Sequence, residues 1–459
     1  MGSPHPSPLP MAQMLDAVDS AVPLKVRGRV SAMAGLTIEA EGLPLPVGAL
    51  VTIETMSGRQ HEAEVVGFKN GRALLMPITG TSGISAGDRV TNKKGGSQVP
   101  VGEALLGRVL DGAGRPIDDG PSLPRGQMRR IDTPPPPPLA RRSISEPIST
   151  GTRAIDALLT CGRGQRVGLF AAPGVGKSTL MSSIAKATDA DVIVIALIGE
   201  RGREVQDFLH NTLGEDGLRR CVVIVATGDD PPLMKVRAAT VACTVAESFR
   251  DRGGNVLLLM DSLTRLAQAQ RQVGLAAGEP PATRGFPPSV FALLPQILER
   301  AGRTAEGSVT GFYTVLVEGN DFDEPIPDAI KGIADGHVLL SRELAEKNHW
   351  PAIDVLRSIS RARSDVTDKL HRAKADRILR LEGVYRDLAD LISVGAYVPG
   401  SDPEQDVAVA MHKEIEAFLQ QGEDERATLA SSVQQLDMLI AKADLAQQQL
   451  ASAQQQTAQ

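Results

Sequence analysis

The chain has 459 residues, 42% hydrophobic and 23% charged, the balance of a soluble globular protein long enough for about three domains. Its 49 basic and 55 acidic residues leave a formal charge of −6, and nine Phe, three Tyr and one Trp supply few aromatic rings, which argues against a protein held mainly by nucleic-acid phosphates. No apolar run approaches the ~18 residues of a membrane span, and no Lys or Arg precedes the first apolar segment as a secretory signal requires. Pro6 stands where N-myristoylation wants Ser or Thr, so a cytoplasmic protein is expected.

In chain order, the first ten residues carry four prolines and two serines and are expected to be disordered. Met11, Met14, Leu15, Val18 and Val22 recur at helical spacing, predicting a short amphipathic helix that needs a surface to fold against. From residue 23 to 95 the texture is all-β. Lys25–Val30, Leu36–Ala40, Val51–Glu54, Glu62–Phe68 and Ala73–Met76 are short runs split by Gly and Pro, and Asn70-Gly71 is a type I′ hairpin signal. About six such strands in so short a stretch predict a small closed barrel.

Residues 92–150 are rich in Gly, Pro and Arg. Their run Pro134–Pro138 predicts a stiff polyproline II connector on the surface, with a ligand for a proline-reading domain as the alternative. From 151 to 365 strand-like and helix-like segments alternate, implying an α/β domain with a mainly parallel sheet. Its candidate strands are Arg166–Phe170, Val192–Ile198, Val222–Ala226, Val256–Met260, Tyr313–Val317 and His337–Leu340. Residues 366–459 read as helical: one long segment marked by Leu370, Ile378, Leu381, Leu388 and Leu391, a second after Asp406, and a third from about Glu423 into a Gln-rich tail expected to fray. Cys161, Cys221 and Cys243 lack the close spacing of a metal or disulfide cluster and read as small buried side chains.

The most informative stretch is the candidate strand Arg166–Phe170 running into Ala171-Ala172-Pro173-Gly174-Val175-Gly176-Lys177-Ser178-Thr179 and then a helix. Glycines let backbone N–H groups turn inward around phosphate oxygens, and the helix N-terminus adds its positive end. Lys177 would reach the β/γ-phosphates and the Ser178 hydroxyl would ligate Mg²⁺. The strict pattern begins with Gly, and here that position is Ala171. Hydrolysis of a triphosphate also needs a carboxylate for the metal and a group that orients water. Asp261 ends the buried run Val256–Met260 and Glu200 follows Val192–Ile198, both at the strand ends where parallel sheets collect ligands. An N-cap for the next helix is the plain alternative for Asp261, and an ordinary surface acid is that for Glu200.

Gly199-Glu200-Arg201-Gly202-Arg203-Glu204-Val205 and Gly102-Glu103-Ala104-Leu105-Leu106-Gly107-Arg108-Val109 resemble segments of the rotary-ATPase β-subunit group. Asp261-Ser262-Leu263-Thr264-Arg265-Leu266-Ala267-Gln268-Ala269-Gln270-Arg271 and the run Gly278–Phe291 look like the type III protein-export ATPases within it. Pro281-Ala282-Thr283, the run Gly311–Gly319, Ser358-Ile359-Ser360-Arg361 and Gly395-Ala396-Tyr397 are more similar to the flagellar branch, whereas Gly274–Gly278 is shared with the virulence branch.

The resemblance implies a central RecA-like P-loop ATPase domain with an N-terminal β-barrel and a C-terminal helical domain. It implies Lys177 and Ser178 on phosphate and Mg²⁺, and Asp261 supporting the metal through water. Glu200 would polarise the attacking water, and Arg201 would contact phosphate or pair with a neighbouring acid. Arg361 matches an arginine finger that reaches the adjacent subunit's ATP. Trp350 stands where relatives carry a Tyr that stacks on adenine, and a larger ring should still stack. A finger acting in trans implies a homohexamer. By resemblance its partners are a stator-like regulatory protein, a central stalk protein, export-gate membrane proteins and export chaperone–substrate complexes, with peripheral contact at the inner face of the cell membrane. The N-terminal amphipathic segment would dock such a partner or the membrane, or cap the barrel. Competing readings are an injectisome ATPase, a rotary synthase subunit, an RNA-tracking ring and a scaffold without turnover. No acidic motif of the synthase kind appears in the C-terminal helices.

Overall fold

The computed structural model describes residues 26–93, 97–124, 126–317, 324–423 and 425–457, with side chains to 453. The expected disordered leader and the amphipathic helix over Met11–Val22 lie outside the described residues.

Six strands, β1 (Arg27–Ala34), β2 (Thr37–Glu41), β3 (Leu50–Glu54), β4 (Gln60–Lys69), β5 (Arg72–Pro77) and β6 (Arg89–Asn92), close into a barrel in the order β1-β2-β5-β4-β3-β6. Every second residue points inward, so Val51, Ile53, Ala63, Val65, Leu75 and Val90 form its dry interior. Asn70 and Gly71 both have positive φ, 50° and 76°, the type I′ requirement that only such residues meet cheaply. Closure removes the unpaired strand edges that so short a sheet would otherwise expose. Glu64 of β4 accepts from Arg237 at 3.0 Å, a largely buried ion pair that ties the barrel to the domain below it.

The central domain is a sheet of β7 (Val109–Asp111), β8 (Arg166–Ala171), β9 (Val192–Glu200), β10 (Cys221–Thr227), β11 (Asn255–Asp261), β12 (Ser308–Leu316), β13 (Gly336–Leu340) and β14 (Ile359–Ser360). Their order is β14-β13-β8-β12-β11-β9-β10-β7, all parallel from β13 through β7, with β14 antiparallel at the edge. The central strands are buried on both faces, which is why they read as continuous apolar runs. The structure adds β7 at the far edge, and β12 begins at Ser308, five residues before Tyr313. Pro134–Pro138 runs along the surface, and Pro137 has polyproline II geometry at φ −57°, ψ 148°. All three cysteines are free and buried, and burial pushes the Cys221 and Cys243 thiols up to about 12.

The C-terminal helices are Lys369–Ser393, Pro403–Leu419 and Leu429–Thr457. Asp368 caps the first by accepting from the His371 N–H at 2.7 Å, and Asp402 caps the second, four residues earlier than expected. Leu370 and Leu391, at 64% and 47% exposure, drop out of the predicted stripe, while Ile378, Leu381 and Leu388 are buried. The third helix runs through Gln447–Gln449, and Gln447 accepts from Arg377 at 3.0 Å.

Arg153 fastens these helices to the ATPase domain. Buried, it donates to the Phe418 carbonyl at 2.6 Å, Gln435 Oε1 at 2.6 Å and Glu425 Oε1 at 2.7 Å. Each hydrogen bond to a charged group contributes about 1.5–3 kcal/mol, and Arg153→Ala also leaves buried acceptors unpaired. The expected result is a loss of about 3 kcal/mol, read in denaturant melts, with faster hydrogen exchange in the C-terminal helices.

Candidate active site

Strand β8 ends at Ala171, and the loop Ala172–Gly176 leads into a helix over Lys177–Ala187. Gly174 and Gly176 both sit at φ +81°, a backbone state that L side chains rarely adopt. At Gly176 space forbids a side chain as well, since a Cβ would lie 2.8 Å from the Trp350 ring. Ser178 and Thr179 are exposed in the first helical turn.

Three charged groups from three elements meet beside this loop. The Lys177 ammonium donates to Asp261 Oδ1 at 2.5 Å and lies 3.6 Å from Glu200 Oε1. Asp261 is buried at the end of β11, where its Oδ1 also accepts from the Thr314 hydroxyl of β12 at 2.7 Å. The capping alternative for Asp261 is taken by its neighbour: Ser262 Oγ accepts from the Arg265 N–H at 3.3 Å and caps helix Leu263–Ala277. That frees the Asp261 carboxylate to face the loop. Nothing local singles out Thr314, since its strand also carries Ser308, Thr310 and Tyr313.

Burial pushes the Glu200 carboxyl up to about 7, with Lys177 opposing and Asp261 adding to the rise. Protonation therefore persists to higher pH than for an ordinary glutamate, and the ionised fraction grows as pH climbs. If the carboxylate is the form that orients water, kcat/KM for Mg²⁺-ATP should rise through about pH 7 and level off above it. A profile flat from pH 6 to 8 would remove Glu200 from that role.

Two predicted residues stand outside this cluster. Arg201 is 86% exposed and lies 3.6 Å from Glu204, the ion pair offered as its plain alternative. Arg361 is exposed just after β14, whose residue Ser360 pairs with Gly336 at the start of β13. That is the opposite end of the sheet from the phosphate loop, about 20 Å away along β8 at ~3.3 Å per residue. Among the described residues its guanidinium makes no hydrogen bond or ion pair, whereas nearby Arg363 is engaged by Asp376 and the Leu158 carbonyl.

Trp350 lines a cleft of about 450 Å³ with Thr152, Gly174, Gly176, Thr179 and Gln421. The ring is 37% exposed and its Nε1–H donates to Asn348 Oδ1 at 2.9 Å, so it is not part of a closed core. The opposite wall comes from the C-terminal domain. Gln421 donates its backbone N–H to the Trp350 carbonyl at 2.8 Å and its side-chain amide to the Gly151 carbonyl at 2.8 Å. No sequence signal marked Gln421. Since this is the chain's single tryptophan, ADP binding in the cleft should quench its fluorescence saturably; an unchanged signal at saturation would exclude stacking.

Three family profiles match the chain in sequence order. They are the ATP synthase alpha/beta family beta-barrel domain over residues 30–94, the nucleotide-binding domain of the same family over 151–360, and the T3SS EscN ATPase C-terminal domain over 367–438. The flagellum-specific ATP synthase of Pseudomonas aeruginosa is 50% identical over 439 residues, 94% of this chain and 97% of that protein. This chain belongs to the flagellar and type III secretion ATPase family. Within that family, the SPI-2 type 3 secretion system ATPase of Salmonella typhimurium is 51% identical over 363 residues, 79% of this chain and 84% of its own length. The assembled type III secretion ATPase EscN of enteropathogenic E. coli superposes with a TM-score of 0.85 at 43% identity, covering 90% of this chain and all of the chain compared. The expected architecture of barrel, RecA-like domain and helical domain is thus the family's own. No helix among the described residues is long and apolar enough to cross a membrane.

Proposed function

We propose that this chain is the ATPase of a flagellar type III export apparatus, hydrolysing Mg²⁺-ATP at sites completed between adjacent copies in a homohexameric ring. The observation that carries the catalytic part is the meeting of Lys177, Asp261 and Glu200 at one edge of the sheet, beside a glycine-bearing loop and a helix N-terminus. Backbone N–H groups along Ala172–Thr179, all but that of Pro173, which has none, cradle the β- and γ-phosphates together with Lys177. The donor set fits Mg²⁺, which prefers one hydroxyl, substrate phosphate and water to a cage of protein ligands. Ser178 would supply the hydroxyl and Asp261 would hold the ion through water; when bound, Mg²⁺ would offer positive charge to the phosphates. Glu200 orients the attacking water, Trp350 stacks on the base, and Arg361 serves the neighbouring copy. Arg201 stays with Glu204 until phosphate draws it in.

Flagellar relatives in Pseudomonas aeruginosa and Salmonella typhimurium are 50–51% identical over 90–94% of the chain. The SPI-2 injectisome enzyme matches over a shorter share. EscN has been solved as an assembled ATPase and in complex with its central stalk EscO, which supports a ring around a stalk here too. Stator-like, export-gate and chaperone–substrate partners, and a peripheral place at the inner face of the membrane, follow from the same reading. The test is genetic. Expressed in a motile host lacking its flagellar ATPase, the wild-type chain should restore swimming and Glu200→Gln should not. Restored effector secretion in an injectisome-deficient host, without restored swimming, would move the chain to the virulence branch.

A further inference from the structure

We propose that Gln165 is a positioning residue for Arg361, holding the strand that presents this arginine to the neighbouring copy. The proposal rests on the trans role assigned to Arg361. Gln165 immediately precedes β8 and is fully buried, so its amide must find partners inside the protein. Its Nε2 donates to the Asp335 carbonyl at 3.1 Å and to Ser360 Oγ at 3.0 Å, and its Oε1 accepts from the Gly162 N–H at 2.8 Å. The Asp335 carbonyl also accepts from the Arg361 backbone N–H at 2.9 Å. Gln165 therefore holds the residue before Arg361 through its hydroxyl and shares an acceptor with Arg361 itself.

The next residue reinforces the grip. Arg166 donates Nε to Asp335 Oδ2 and Nη2 to Asp335 Oδ1, both at 2.8 Å, fixing the segment that carries that shared carbonyl. Ser360 Oγ in turn donates to the Thr160 carbonyl at 2.9 Å. Such fastening is needed because β14 is two residues long and antiparallel at the sheet edge, too little ladder to fix a terminal side chain unaided. Neither Gln165 nor Ser360 approaches the chain's own phosphate loop, which lies at the far end of β8. Their effect on turnover must therefore pass through Arg361 and the adjacent copy.

The test uses full-length protein in two steps. Gln165→Leu should lower kcat about 10- to 100-fold while the KM for ATP and the ADP quench of Trp350 stay at wild-type values. Mixed with Lys177→Ala copies, it should regain activity, because the latter bring an intact finger and the former an intact phosphate loop. The matched mixture of Arg361→Ala with Lys177→Ala separates the two levels of the argument. If that pair does not regain activity, the trans role of Arg361 fails and this proposal falls with it. If that pair does and Gln165→Leu with Lys177→Ala does not, Gln165 is merely structural. Ser360→Ala removes only one partly buried hydroxyl and decides the matter should Gln165→Leu not fold. A wild-type kcat for Ser360→Ala would overturn the proposal, and a reduced kcat with unchanged KM would support it.

Discussion

Glu200→Gln is expected to lower kcat by about 10²–10³-fold while the protein still binds ATP. A group that orients and polarises a reacting water contributes on the order of 10²–10⁴ in rate. The amide keeps the size and hydrogen-bonding outline of the acid but lacks the charge. The Lys177–Asp261 contact at 2.5 Å does not depend on Glu200 and should survive. Removing a carboxylate 3.6 Å from the Lys177 ammonium also takes negative charge away from where triphosphate must sit. Saturation of the Trp350 quench by ATP should therefore occur at the wild-type concentration or below. Activity within tenfold of wild type would mean that another group orients the water.

The second large effect belongs to Arg361→Ala. Arginine fingers supplied in trans contribute about 10³–10⁵ in rate where they act on nucleotide hydrolysis. The mutant should bind ADP normally and hydrolyse at a low rate that does not vary with protein concentration. Wild-type specific activity should climb with concentration as copies assemble. Concentration-independent turnover across a range where sizing shows dissociation, with the mutant equal to wild type, would make each subunit a self-contained ATPase.

Much of this fold could be read from local patterns. The Asn70-Gly71 turn, the alternating barrel strands and the doubly buried β9, β10 and β11 each leave a periodicity or composition that a short window detects. The missed elements leave none. β7 is three residues within a Gly- and Pro-rich stretch and exists because β10 offers it a parallel edge. The ion pair of Arg377 with Asp444, which joins the first and third C-terminal helices, is likewise invisible in composition. The site divides in the same way. Asp261 and Glu200 sit at strand ends, and Lys177 and Ser178 open the helix after a glycine-bearing loop, all features that the sequence already marks. Thr314, Gln421 and Gln165 matter through contacts made across 53 to 270 residues of chain, and no local window carries those.

Because the cleft beside Trp350 has one wall from the ATPase domain and the other from the Gln421 turn, the C-terminal helices are not a detachable adaptor. A fragment trimmed at residue 365 would keep Lys177, Glu200 and Asp261 and lose the cleft wall that, on the proposed reading, faces the base. It would be a poor proxy for the intact enzyme in inhibitor screening, favouring compounds that imitate phosphate over those that imitate adenosine. Domain swaps within the family face the same constraint: a graft that carries new helices but not a turn fitting Gly151, Arg153 and Trp350 would reshape the cleft as well.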